Sequence, residues 1–193
     1  MPIITKEGRV SFPSVFEKSD FNGDGKGKYE VTLVFDKDVD ISDMKEAARA
    51  AVKGKWGNKP PSNLRSPFRL CGDKPEHYAE EFDPKDIFVA FRSNGRPGVV
   101  DSSTQPIIDA EEIYPGCWAR VSTNAYAYDF AGNRGVAFGL NNMQKIRDDD
   151  GIGGVKTEAK DDFEAIAGSS EDPAAYTKGE SWGDAPPDDD PPF

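Results

Sequence analysis

The sequence predicts a mainly-β chain: a small antiparallel barrel with one short helix, followed by a disordered acidic C-terminal tail. Three observations predict it. Five segments carry strand patterning, one segment changes to helical spacing, and the entire net charge of −11 falls in the last 46 of 193 residues. Met1 to Arg147 holds 21 Lys and Arg against 21 Asp and Glu, whereas Asp148 to Phe193 holds 3 against 14. The chain is long enough for one domain with a real core plus an appendage.

The elements follow in order. Residues 10–16 (VSFPSVF) alternate apolar and polar, as a half-buried strand does. After a Gly/Asp/Asn/Lys loop, 29–35 (YEVTLVF) alternate again, so the two read as a hairpin with a long loop. From Asp43 to Trp56 the period changes: Met44, Ala47, Ala48, Ala51 and Val52 fall at helical spacing, and Asp43 with Glu46 suggests a capping box. Pro60 and Pro61 forbid continuation of that helix. Residues 87–91 (IFVAF) form the next strand. Two long strands close the pattern, 116–130 and 135–146, joined by a tight turn in AGNR at 131–134. Beyond Arg147 large apolar residues are too sparse to offset ordering entropy, which predicts disorder over 148–193. Five strands and a helix in 1–147 suggest a small five-stranded antiparallel barrel, of which the OB-fold is the commonest nucleic-acid-binding example; periodicity alone does not separate it from a sandwich.

Composition excludes several functions. Cys71 and Cys117 are too few for a disulfide scaffold, and with His77 the sole histidine a Cys/His metal site is nearly ruled out. No apolar run reaches membrane-spanning length, and no leader pattern opens the chain. A soluble, intracellular protein with reduced thiols is expected. Residues 20–25 (DFNGDG) match the first half of a calcium loop, but its twelfth position is Val31 rather than Glu and its flanks read as strands. The expectation there is a polar hairpin loop whose Lys26 and Lys28 are within reach of a phosphate.

Nucleic acid is the partner the charge pattern suggests. Between Glu46 and Asp73 no acidic residue occurs, while Arg49, Lys53, Lys55, Lys59, Arg65 and Arg69 do, interleaved with Trp56 and Phe68. Such a stretch attracts phosphate, and its rings offer faces for unpaired bases. The last hairpin adds a second candidate. With Gly132-Asn133 as the turn, Tyr128 would face Ala137, Tyr126 Gly139, Arg120 Lys145 and Trp118 Arg147. That side is aromatic and basic; Ala127–Phe138, Ala125–Leu140 and Ala119–Ile146 make the opposite, packable side. Small partners would leave the rings of Tyr126 and Tyr128 open for stacking.

The runs KWGNK (55–59), NLRSPFR (63–69), RPGVVD (96–101), IYPGC (113–117) and AYAYDFAGNRGVAFGLNN (125–142) resemble a tailed-phage single-stranded-DNA-binding family, over essentially all of 5–165. The resemblance implies an OB-fold related to gene-2.5-type replication proteins, a role in phage DNA replication or recombination, and the cytoplasm of an infected bacterial host. In addition, DDDPPF at 188–193 is similar to the acidic, Phe-terminated tip by which such proteins recruit partners. That carry-over assigns Asp188, Asp189, Asp190 and Phe193 as a protein-docking tip; the Pro residues restrict its collapse. No cofactor and no catalysis are expected, and pairing of two copies is left open. Two rivals stand beside this reading: a metal-dependent nuclease built on Asp101, Asp109, Glu111 and Glu112, and a DNA mimic whose acidic tail is the active part. The helix lies between the second and third strands, whereas OB-folds usually carry it between the third and fourth.

Overall fold

The computed structural model describes residues 2–20, 26–78 and 80–152. They fall within one compact unit, Met1–Val155. The predicted tail beyond Ile152, including the tip residues Asp188, Asp189, Asp190 and Phe193, lies outside the described residues, as does most of the 20–25 loop.

Among the described residues there are eight strands: β1 (Ile3–Ile4), β2 (Gly8–Ser19), β3 (Lys28–Phe35), β4 (Arg69–Leu70), β5 (Ile87–Ser93), β6 (Gly98–Val100), β7 (Trp118–Phe130) and β8 (Asn133–Arg147). Five of them close a ring. β2 pairs with β3, β3 with β5, β5 with β8 in parallel, β8 with β7, and β7 returns to β2 through Gly8↔Ala119 and Arg9↔Trp118. That order, with its one parallel contact, is the OB-fold. The strands β1, β4 and β6 are short additions at the ring's edges, too brief for a periodic signal.

Alternation places Val31, Leu33 and Phe35 of β3, Val89 and Phe91 of β5, Ala119 and Val121 of β7, and Val136, Phe138 and Leu140 of β8 in one buried core. Val31, the would-be calcium ligand, is a fully buried barrel residue. The helix α1 (Ser42–Trp56) packs on β7 and β8 and buries Met44 and Ala48. The expected Asp43/Glu46 capping box is not formed. Ile41 occupies the N-cap without a side-chain bond, and Asp40 instead accepts the Ser42 N–H at 2.9 Å. Gly57, at φ 63, ends the helix by donating to the Lys53 carbonyl before the two prolines. The helix does fall between the second and third strands of the ring.

The β7–β8 hairpin differs from expectation in register. Its turn is Ala131-Gly132, both at positive φ, so Phe130 faces Asn133, Tyr128 faces Gly135 and Tyr126 faces Ala137. Partners are therefore displaced by two residues, which preserves the faces of β7 but changes who meets whom. Two bulges on β8, at Asn141 and Ile146, then restore Trp118↔Arg147; Arg120 meets Gln144, not Lys145. Each bulge inserts one unpaired residue. Thr123 sits at the first, buried, and its hydroxyl donates to the Gly139 carbonyl at 2.6 Å.

Candidate nucleic-acid interface

The outer surface of β3 and β5 is set by strict register: Glu30↔Arg92, Thr32↔Ala90 and Val34↔Phe88. These positions alternate with the buried ones, so all six belong to the outward face. Arg92 donates to Glu30 at 2.8 Å. Arg69, on β4 beside β5, holds its guanidinium 4.5 Å from the Phe88 ring centre. The chain from β4 through a 3-10 turn into α2 (Pro75–Tyr78) folds over one end of this face, where Cys71 and Tyr78 form a second buried cluster with Val34 and Phe88.

An aromatic row results. Tyr78 lies 4.8 Å from Phe88, His77 stands edge-on to Phe12 at 5.6 Å, and Phe12 is also edge-on to Tyr78 at 6.2 Å. Phe12, from β2, keeps 51% of its surface exposed. Two clefts meet at it. One, of about 860 Å³, includes Ser14, Lys26, Lys28 and Arg92; the other, of about 210 Å³, includes Thr32, Arg69, Lys74 and Phe88. His77 and Glu30 line both. Cations outnumber acids along this surface, although Lys74 is paired with Glu76 at 3.2 Å.

The same outward surface continues onto the long hairpin. Arg92 is level with Gly139 of β8, and Gly139 with Asn124 of β7. The next outward residues on β7 are Tyr126, 45% exposed, and Tyr128, opposed by Ala137 and Gly135. The expected small partners are thus present, though they are different residues. Phe130, at the hairpin tip, is 79% exposed.

The acid-free stretch does not form one row. Arg69 joins the β3–β5 face. Lys53 and Arg65 line a separate cleft of about 660 Å³ beside α1, with Lys45 and Arg49 at its rim and Val52, Leu64 and Val136 at its apolar floor. Lys55, whose ammonium lies 5.8 Å from the Trp56 ring centre, and Trp56 end α1; Lys59 follows in the loop. Phe68 is turned inward against Phe138 at 5.7 Å, so its ring belongs to the edge of the core rather than to a stacking surface. Arg120 donates to Gln144 and sits six residues from Tyr126, roughly 20 Å along the strand.

Sequence reasoning missed Phe12, Lys74, His77 and Arg92. Arg92 was accessible, because continuing the alternation of Phe88 and Ala90 by one step puts it on the outer face. Phe12 and His77 were not, since they meet only when α2 folds onto β2. Two of the four rival carboxylates are engaged in loop geometry: Asp101 accepts the N–H groups of Ser103 and Gln105, and Asp109 that of Glu111. Among the described residues no group of three metal-ligating side chains occurs, and no helix is long and apolar enough to cross a membrane.

The first acidic residues after β8 are held on the barrel. Asp148 accepts from the Tyr114 hydroxyl at 2.8 Å and pairs with Lys145 at 2.7 Å. Asp149 accepts the Trp118 indole N–H at 2.6 Å, and the Asp150 carbonyl accepts from Arg9. The Lys145 and Tyr114 hydrogen bonds hold the Asp148 carboxyl below its ordinary range; the Trp118 bond does the same for Asp149. Trp118 lies between Arg9 and Arg147, whose guanidiniums are 5.9 and 4.1 Å from its ring centre. Ile152 closes the clamp by donating to the Pro115 carbonyl.

A family model described as the single-stranded-DNA-binding protein of Enterobacter phage Enc34 matches residues 1–174. Putative protein p50 of Acyrthosiphon pisum secondary endosymbiont phage 1 is 27% identical over 185 residues, covering 89% of this chain and 97% of that protein. Among solved structures, the Enc34 single-stranded-DNA-binding protein in complex with single-stranded DNA superposes with a TM-score of 0.65 at 20% identity, over 79% of this chain and 89% of that one. The bacteriophage T7 single-stranded-DNA-binding protein gp2.5 gives 0.55 at 18% identity, over 86% and 98%. At these identities the two structures show the shared fold.

Proposed function

Because the chain belongs to the family of the Enterobacter phage Enc34 single-stranded-DNA-binding protein, we propose that it binds single-stranded DNA, largely irrespective of sequence, along the outer face of β3 and β5. OB-folds that bind oligonucleotides use the surface of their second and third strands and the flanking loops. Here those strands are β3 and β5. The observation that carries the reading is the meeting on this face of exposed Phe12 and His77 with the cations Arg69, Lys74 and Arg92, on a surface that continues across β8 to exposed Tyr126 of β7. Phosphates displace counterions from the cations, while bases stack on the rings; neither contact reads base identity. Thr32, Ala90, Ala137 and Gly139 keep the floor between the walls low. No covalent chemistry enters.

The test is binding of a labelled oligothymidylate, measured by anisotropy across a salt series. Replacing Arg69 and Lys74 together by Gln should weaken binding about tenfold and flatten the salt slope by about 1.4, two phosphates at about 0.7 each. Unchanged affinity and slope would move the strand elsewhere. The competing path runs over Lys53, Lys55, Trp56, Lys59 and Arg65 beside α1. It is favoured if Lys55→Glu with Arg65→Glu weakens binding more than the Arg69/Lys74 pair does.

The tail takes the second role in this proposal. Its residues Asp188 to Asp190 and Phe193 offer an apolar ring beside a run of carboxylates, suited to a basic-rimmed pocket on replication or recombination proteins of the infected host's cytoplasm. A chain ending at Ile152 is expected to bind single strands as tightly as the whole protein, or more tightly, most visibly at low salt. Much weaker binding would sink this division of labour.

A further inference from the structure

Phe12 has a backbone that its side chain does not favour. Its φ is 47, in the left-handed region, where a bulky residue is a genuine outlier. The cause is local: β2 carries one residue more than β3 between Ser11↔Thr32 and Ser14↔Glu30, which makes a bulge. A left-handed position in such a bulge is ordinarily Gly, and the proline that follows narrows the choice of conformations further. The core does not require the ring. Val10 and Val15 are the apolar β2 side chains buried on either side of the bulge, at 0% and 2% exposure, while Phe12 stays half exposed. Of its aromatic neighbours His77 is exposed and Tyr78 is buried in the small outer cluster, which the Phe12 ring meets edge-on, and the ring stands where the two clefts meet. Strain held at a half-exposed ring that belongs to neither buried cluster and meets only the edge of one points to a ligand.

We infer that Phe12 is a stacking wedge: its ring inserts between two successive bases of the bound strand and bends the strand as it passes from one cleft to the other. This rests on the proposed β3–β5 binding face and adds to it the place where base stacking is interrupted. A Phe ring has no hydrogen-bonding group, so the wedge accepts any base.

The experiment uses the full chain and an oligonucleotide series carrying 2-aminopurine at successive positions, a base whose fluorescence rises when it is unstacked. Wild-type protein should brighten one or two adjacent positions. Phe12→Asn removes the ring and relieves the backbone, because Asn tolerates the left-handed region. It should melt at the same temperature or higher, bind single strands about tenfold more weakly, keep its salt slope, and lose the brightening. Phe12→Trp should keep both the affinity and the brightening. Phe12→Ala removes the ring but keeps the strain, so it should bind as weakly as Phe12→Asn while melting lower. Unchanged affinity in Phe12→Asn would overturn the wedge, as would a clear drop in its melting temperature or brightening that persists. Failure of the wild type to bind single-stranded DNA at all would instead refute the binding reading on which the wedge rests.

Discussion

A methyl group on Gly135 would place its carbon 2.7 Å from the Arg65 carbonyl oxygen and 2.8 Å from the Tyr128 hydroxyl. The chain at Arg65 bonds on both sides of this glycine, to the Arg134 carbonyl and the Val136 N–H, so the Arg65 carbonyl cannot retreat freely. Gly135→Ala should therefore cost about 1–3 kcal/mol, read as a lower denaturant midpoint. In the sequence Gly135 marks only the expected start of a strand. Its constraint comes from a segment 70 residues earlier, which no local pattern discloses. The cysteines are the opposite case. Their number and spacing suggested reduced thiols, and both are buried; burial pushes the Cys71 thiol up to about 12. Neither should react with a thiol reagent at neutral pH until the protein is unfolded.

The long hairpin shows how far an element can be read. Period-two alternation was enough to assign Tyr126 and Tyr128 to one face and Ala125 and Ala127 to the other, because any even slip preserves parity. It could not locate the turn. Asn133 looked like a turn residue, yet the turn uses Ala131 at φ 48 and Gly132 at φ 81. Mirror-image turns of this kind favour Asn-Gly. Ala131→Asn should accordingly raise stability by about 0.4–1 kcal/mol, visible as a higher melting temperature with unchanged DNA affinity. An unchanged or lower melting temperature would mean that the turn is held by its strands alone. The β8 bulges were also out of reach, since an inserted residue leaves no compositional mark. For the same reason the proposed binding face is only half legible in the sequence: the tyrosines follow from β7, but Phe12 sits on a bulge of β2.

At the scale of the whole molecule, splitting the charge at Arg147 separated a neutral barrel from an acidic segment. The barrel nonetheless keeps hold of Asp148 to Ile152. A chain cut after Arg147 loses every contact made by Asp148 to Ile152 and should melt at a lower temperature than one cut after Ile152. Equal melting temperatures would show that these contacts contribute nothing. The clamp is also expected to depend on pH. Asp148 and Asp149 have folded-state values depressed below the ordinary 3.8, so their contribution is complete above about pH 5 and is lost as pH falls through those lower values. The difference between the two truncated chains should therefore shrink toward pH 3; a difference that grows on acidification would contradict the assignment. The sequence could not disclose the clamp, because its donors, Arg9, Tyr114, Trp118 and Lys145, are spread along the whole barrel.

The ring closes where Gly8 and Arg9 of β2 meet Ala119 and Trp118 of β7, and this has a consequence for synthesis. A growing chain makes β2 first and its partner about 110 residues later, which at 5–20 residues per second is roughly 5–20 seconds. Through that interval one edge of the β2–β3 pair has nothing to bond, and an unpaired edge is a template for other chains. Folding is thus delayed until the last hairpin emerges, and pairings this distant in sequence form slowly even then. In a cell producing many copies at once, the hazard is aggregation of half-made barrels, and slower translation of residues 20–115 would aggravate it.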